Sequence, residues 1–80
     1  MTKVILVHAS WCHVCPEAKM LWQNLKEVHD FDYDEIDFDT PEGEKLAEEY
    51  SIMSVPTTII DGVVAFVGVP DKEKAVSMLS

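Results

Sequence analysis

The chain has 80 residues, 48% of them hydrophobic, with six lysines, no arginine, fifteen acids and a formal net charge of −9. That length suits one domain spanning residues 1–80, and the regular apolar patterning excludes a disordered chain. Twelve of the acids fall between Glu17 and Glu49, a field that repels nucleic acid and anionic membranes. With neither a basic leader before an apolar stretch nor 18 consecutive apolar residues, a soluble, cytoplasmic monomer is expected.

Lys3 to His8 contains the unbroken apolar run Val4-Ile5-Leu6-Val7, which suits a strand covered on both faces, as in a parallel sheet. After the segment Ala9-Ser10-Trp11-Cys12-His13-Val14-Cys15-Pro16, the spacing of Val14, Ala18, Leu21, Leu25 and Val28 predicts a helix from His13 to His29 with that stripe inward. Pro16 falls in its first turn, where a missing N–H costs little. Trp22, Met20, Met53 and Met78 are expected to pack.

Phe31 to Asp39 alternates apolar and acidic residues, but the parity slips between Tyr33 and Ile36, so this strand starts late or carries a bulge. Its acids suit an edge strand, and strand–helix–strand makes a right-handed parallel unit. Thr40-Pro41-Glu42 reads as a capped helix start, with the helix running to about Tyr50 and Leu46, Ala47 and Tyr50 facing in. Ser51 to Val55 reads as a loop. Thr57–Ile60 and Val63–Val67 are β-branched runs joined by Asp61-Gly62, a strong hairpin signal. Pro70 and Asp71 open a last helix with Ala75, Val76 and Leu79 inward.

The chemistry-bearing feature is the cysteine pair. Cys12 and Cys15 stand three apart where a strand turns into a helix, close enough for a disulfide. A thiolate there meets unpaired N–H groups and the positive end of the helix dipole, conditions that make a cysteine nucleophilic at neutral pH. Dithiol–disulfide exchange is the expected activity. The competing reading is a metal module, zinc or iron–sulfur, using Cys12 and Cys15 with His8 or His13. It needs four ligands, and no second Cys-x-x-Cys exists, so a site shared across a dimer would be required.

The whole order, β-α-β-α-β-β-α, with Trp11-Cys12-His13-Val14-Cys15 after the first strand and Ser54-Val55-Pro56-Thr57 before the hairpin, resembles the thioredoxin/glutaredoxin superfamily. At this length it is similar to the short glutaredoxin-like thioredoxins. Cys-x-x-Cys-Pro is similar to archaeal protein disulfide oxidoreductases and to the N-terminal domain of the flavoprotein that reduces alkyl hydroperoxide reductase. The resemblance implies a thioredoxin-like α/β fold, a four-stranded mixed sheet flanked by helices, with the first strand central and the second at an edge. It implies that Cys12 attacks, Cys15 resolves, Pro56 is a cis-proline, and Val55 offers its backbone to substrate, with Trp11 and Val14 as contact surface. It further implies protein-disulfide substrates, a reductase as electron donor, and no cofactor beyond the Cys12–Cys15 disulfide.

The departures from the family pattern carry their own expectations. His13-Val14 replaces Gly-Pro between the cysteines, making His13 a candidate for tuning the thiolate. Leu6 replaces the buried acid six residues before the first cysteine, and Met20 replaces the proline that kinks the first helix. Glutathione, the donor a glutaredoxin would use, is an alternative, although the groups that bind it are poorly matched here. Lowering Cys12 from ~8.5 to ~7 would raise reactivity only about 3-fold. The larger effect is a better leaving group and a potential less negative than thioredoxin's ~−270 mV.

Overall fold

The computed structural model describes residues 2–79. The elements are β1 (Lys3–His8), α1 (Cys15–Val28), β2 (Asp32–Asp37), α2 (Pro41–Tyr50), β3 (Thr57–Ile60), β4 (Val63–Val67) and α3 (Lys72–Leu79). They build one four-stranded sheet ordered β2-β1-β3-β4. β2 runs parallel to β1, and β3 and β4 run antiparallel to their neighbours. The first strand is central and the second lies at an edge, as the resemblance implies.

Alternation along β1 explains its unbroken apolar run. Val4 and Leu6 join a core with Ala18, Trp22 and Leu25 of α1, Phe31, Ile60 and Ala75 of α3. Val7, with Ile5 against it, joins Ile52 and Ile59 on the other face, where Leu46, Ala47 and Tyr50 of α2 pack. Both faces of β1 are therefore dry, and its ladder bonds are shielded from water.

The helix α1 begins later and is turned differently from the expectation. It starts at Cys15 rather than His13, with Val14 at the cap position, accepting from the N–H groups of Glu17 and Ala18. Its buried residues are Cys15, Ala18, Trp22 and Leu25, so the stripe ends Val14 and Val28 are exposed instead of inward. Trp22 decides the rotation: its indole fills the space under the sheet, edge-on to Phe31, and its N–H donates to Thr58 Oγ1 at 3.1 Å. Met20, Met53 and Met78, expected to pack, are exposed.

Neither alternative for β2 holds: Tyr33 and Ile36 lie in one regular strand without a bulge, three residues apart and so on opposite faces of the sheet. Phe31 is buried ahead of the strand, and pairing with β1 runs in register from Asp32 to Asp37. The irregularity lies instead in the hairpin, between Thr58 and Ile59. Asp61 (φ 50°) and Gly62 (φ 81°) both take the left-handed conformation that a tight two-residue hairpin turn needs. The second helix forms as read: Thr40 Oγ1 accepts from the Gly43 N–H at 3.0 Å, capping α2. The third begins at Lys72, two residues beyond Pro70.

Candidate active site

The carboxyl end of β1 delivers the chain into a turn in which the Cys12 N–H donates to the Ala9 carbonyl at 3.2 Å. This holds Cys12 just ahead of the first turn of α1, whose first N–H groups have no intrahelical partner. Cys12 and Cys15 form a disulfide, their Cα atoms 5.4 Å apart. The two cysteines differ in exposure. Cys15 is 1% exposed, whereas Cys12 is only partly covered.

The loop after α2 supplies the opposite wall. Val55-Pro56 is a cis peptide, and Pro56 is fully buried. The Val55 carbonyl lies 3.7 Å from Cys12 Sγ, and Thr57 Oγ1 donates to the Ser54 carbonyl at 2.8 Å. The Gly68 N–H donates to the Pro56 carbonyl at 2.7 Å, so the end of β4 closes the same wall. Gly68 holds φ 93°, a conformation that disfavours a side chain.

Trp11 and Val14 flank the sulfurs on the surface, 59% and 46% exposed. Trp11 is nevertheless held: its indole N–H donates to Asp39 Oδ2 at 2.7 Å and its ring meets Phe38 edge-on. Sequence reasoning missed Asp39 and Phe38. Their acid–aromatic alternation reads as strand, and only the fold brings residue 39 to residue 11. Sequence reasoning singled out Trp11, Cys12, His13, Val14, Cys15, Val55 and Pro56. His13 is exposed between the cysteines and Val55 is half-buried opposite them. His8, at the end of β1, is half-buried, and burial followed by the Lys19 charge lowers its pKa below the usual value, against smaller opposing effects of Asp37 and Glu35. Among the described residues, no group of three or more His, Cys, Asp or Glu is placed to hold a metal.

The sequence profile of the thioredoxin domain matches residues 2–80. The chain belongs to the thioredoxin family. It is 35% identical over 78 residues to a thioredoxin from Methanocaldococcus jannaschii, covering 96% of this chain and 91% of that one. Its structure is similar to a point mutant of thioredoxin from Halobacterium salinarum (TM-score 0.81, 27% identity, 98% of this chain and 71% of that one). It also shares its fold with an N-terminal domain of an alkylhydroperoxide reductase from Enterococcus faecalis (TM-score 0.84, 24% identity), covering 99% of this chain and 38% of that one. Thioredoxins are thiol–disulfide oxidoreductases, and with Cys12 and Cys15 paired at the start of α1 this chain is one too. The family acts on disulfide-containing proteins and is recharged by reductases. No helix among the described residues is long and apolar enough to cross a membrane.

Proposed function

We propose that this thioredoxin-family protein, working as one catalytic unit over residues 1–80, reduces protein disulfides in the cytoplasm, as a monomer, by attack of Cys12. The observation that carries the reading is the unequal exposure of the two cysteines, with Cys12 only partly covered and Cys15 at 1%. The Cys12 thiolate attacks one sulfur of the substrate disulfide and expels the other as a thiolate. The Cys15 thiolate then attacks Cys12 Sγ, releasing the second substrate thiolate and leaving the Cys12–Cys15 disulfide. Two electrons have passed to the substrate, and a reductase returns them to the pair.

Each neighbour has a role in this scheme. The Val55 backbone accepts the substrate chain as an added strand beside Pro56, while Trp11 and Val14 cover its apolar side chains. His13 tunes the Cys12 thiolate from beside it. The disulfide pair is the only redox group the scheme needs.

Trapping tests the assignment. Cys15→Ser should accumulate mixed disulfides with partner proteins, because attack proceeds and resolution cannot. Cys12→Ser should accumulate none, and the reverse pattern would overturn the order of attack.

A further inference from the structure

Starting two residues beyond Cys15, a groove of about 720 Å³ lies between α1 and the segment joining β4 to α3. Its floor is apolar: Met20, Leu21 and Val28 from α1, Val69 and Pro70 from the joining segment, and Val76 from α3. Met20 is 64% exposed and Val28 79%, so this is apolar surface that the core leaves uncovered. Glu17, Glu27 and Asp71 stand on its rim, and their carboxylates have no ion-pair or hydrogen-bond partner among the described residues. Lys72 and His29 are the basic groups on the same rim.

Both walls lead on in sequence from residues of the exchange site. Along α1, Val14, Glu17, Leu21, Asn24 and Val28 follow one helical stripe, and Val14 lies between the two cysteines. On the other wall, Val69 follows Gly68, which is bonded to Pro56. A partner chain that extends from the Cys12 sulfur along α1 would pass Val14 and reach the groove at Glu17. From Glu17 to Val28 the helix rises about 16 Å. That matches about five residues of extended chain.

We infer that this groove docks the segment next to the target cysteine of a disulfide partner, and that the segment carries apolar side chains interspersed with lysine or arginine. The apolar floor takes the former, and the unpaired carboxylates of Glu17, Glu27 and Asp71 meet the latter. The inference rests on the catalytic reading above and adds a sequence preference to it.

Three disulfides discriminate the outcomes: hydroxyethyl disulfide, a disulfide peptide flanked by Leu/Lys segments, and the same peptide flanked by Ser/Lys segments. The reduced protein should react about tenfold faster with the Leu/Lys peptide than with the Ser/Lys peptide. The double variant Met20→Glu with Val28→Glu should abolish that preference while reacting normally with hydroxyethyl disulfide. The added negative charge would raise a purely electrostatic attraction for either peptide, so a faster variant, or equal wild-type rates on the two peptides, overturns the proposal. A wild-type dimer in sedimentation that the double variant dissociates would give the groove to a second copy and overturn it too. Failure of the wild type to reduce hydroxyethyl disulfide would instead bring down the catalytic reading beneath it.

Discussion

The indole N–H of Trp11 donates to the carboxylate of Asp39 at 2.7 Å, joining the turn that carries Cys12 to the segment leaving β2. The bond spans 28 residues of sequence and holds an exposed aromatic in one orientation beside the sulfurs. Asp39→Ala frees the ring to rotate. The expected outcome is a KM for protein disulfides raised several-fold, no change with a small disulfide, and a loss of about 1 kcal/mol of stability. Steady-state kinetics and urea unfolding read both effects. An equal loss on both substrates would show that Asp39 acts on the sulfurs rather than on substrate contact.

A second bond sits in the dry core. Trp22 and Thr58 are fully buried, and the indole N–H has the Thr58 hydroxyl as its partner at 3.1 Å. Thr58→Val keeps the shape but strands that N–H, so it should cost about 1–3 kcal/mol. Thr58→Ser keeps the hydroxyl and loses one methyl group, so it should cost only about 1 kcal/mol. Urea unfolding midpoints ranking the two variants the other way would refute the role given to this bond.

Gly43 is a helix-interior glycine at which the usual gain from alanine is reversed. A Cβ there would run into the backbone carbonyl of Asp37 and come within 2.8 Å of the Phe38 Cα. Backbone on both sides has to shift, and Gly43→Ala should lose about 3 kcal/mol rather than gain the ~1 kcal/mol that helix propensity alone promises. Thermal unfolding measures the sign.

The His8 environment makes stability depend on pH. Burial, then Lys19 on α1, lowers its pKa, while Asp37 and Glu35 on β2 act less strongly in the opposite sense. The unfolded chain therefore takes up this proton at a higher pH than the folded one. Stability should rise with pH through the window from the lowered folded value up to ~6.5 and level off above it. His8→Gln should remove that rise, and a pH series of urea unfolding curves that is identical with and without His8 would exclude it.

The reduction potential tests the setting of Cys12. The sulfur lies ahead of the first turn of α1, and the position facing the core six residues earlier is the fully buried Leu6, not an acid. A thiolate stabilised at the helix terminus favours the reduced pair, so equilibration in thiol–disulfide buffers should give a value less negative than ~−270 mV. His13→Ala should move it back toward that figure, and a wild-type value at or below it would eliminate the tuning assigned to His13.

The sequence alone carried the element order, because each signal is local. Thr40-Pro41 caps a helix, Asp61-Gly62 turns a hairpin, and Val4-Ile5-Leu6-Val7 needs cover on both faces. The pairing of Cys12 with Cys15 was legible for the same reason, three residues being a separation that backbone geometry controls. The tertiary structure decided what depends on contacts between distant segments. Periodicity gave α1 an inward stripe ending in Val14 and Val28, but two overlapping stripes share Ala18 and Leu25. Burial of the large Trp22 indole against Phe31 and Thr58 selected the other one. That rotation exposed Val14 beside the sulfurs and Met20 and Val28 along the groove. The unequal exposure of the two cysteines, the Val55 carbonyl across from Cys12 and the hold of Asp39 on Trp11 arise the same way. Each joins residues that only the sheet order β2-β1-β3-β4 brings together, and no local pattern in an 80-residue chain encodes such a distance.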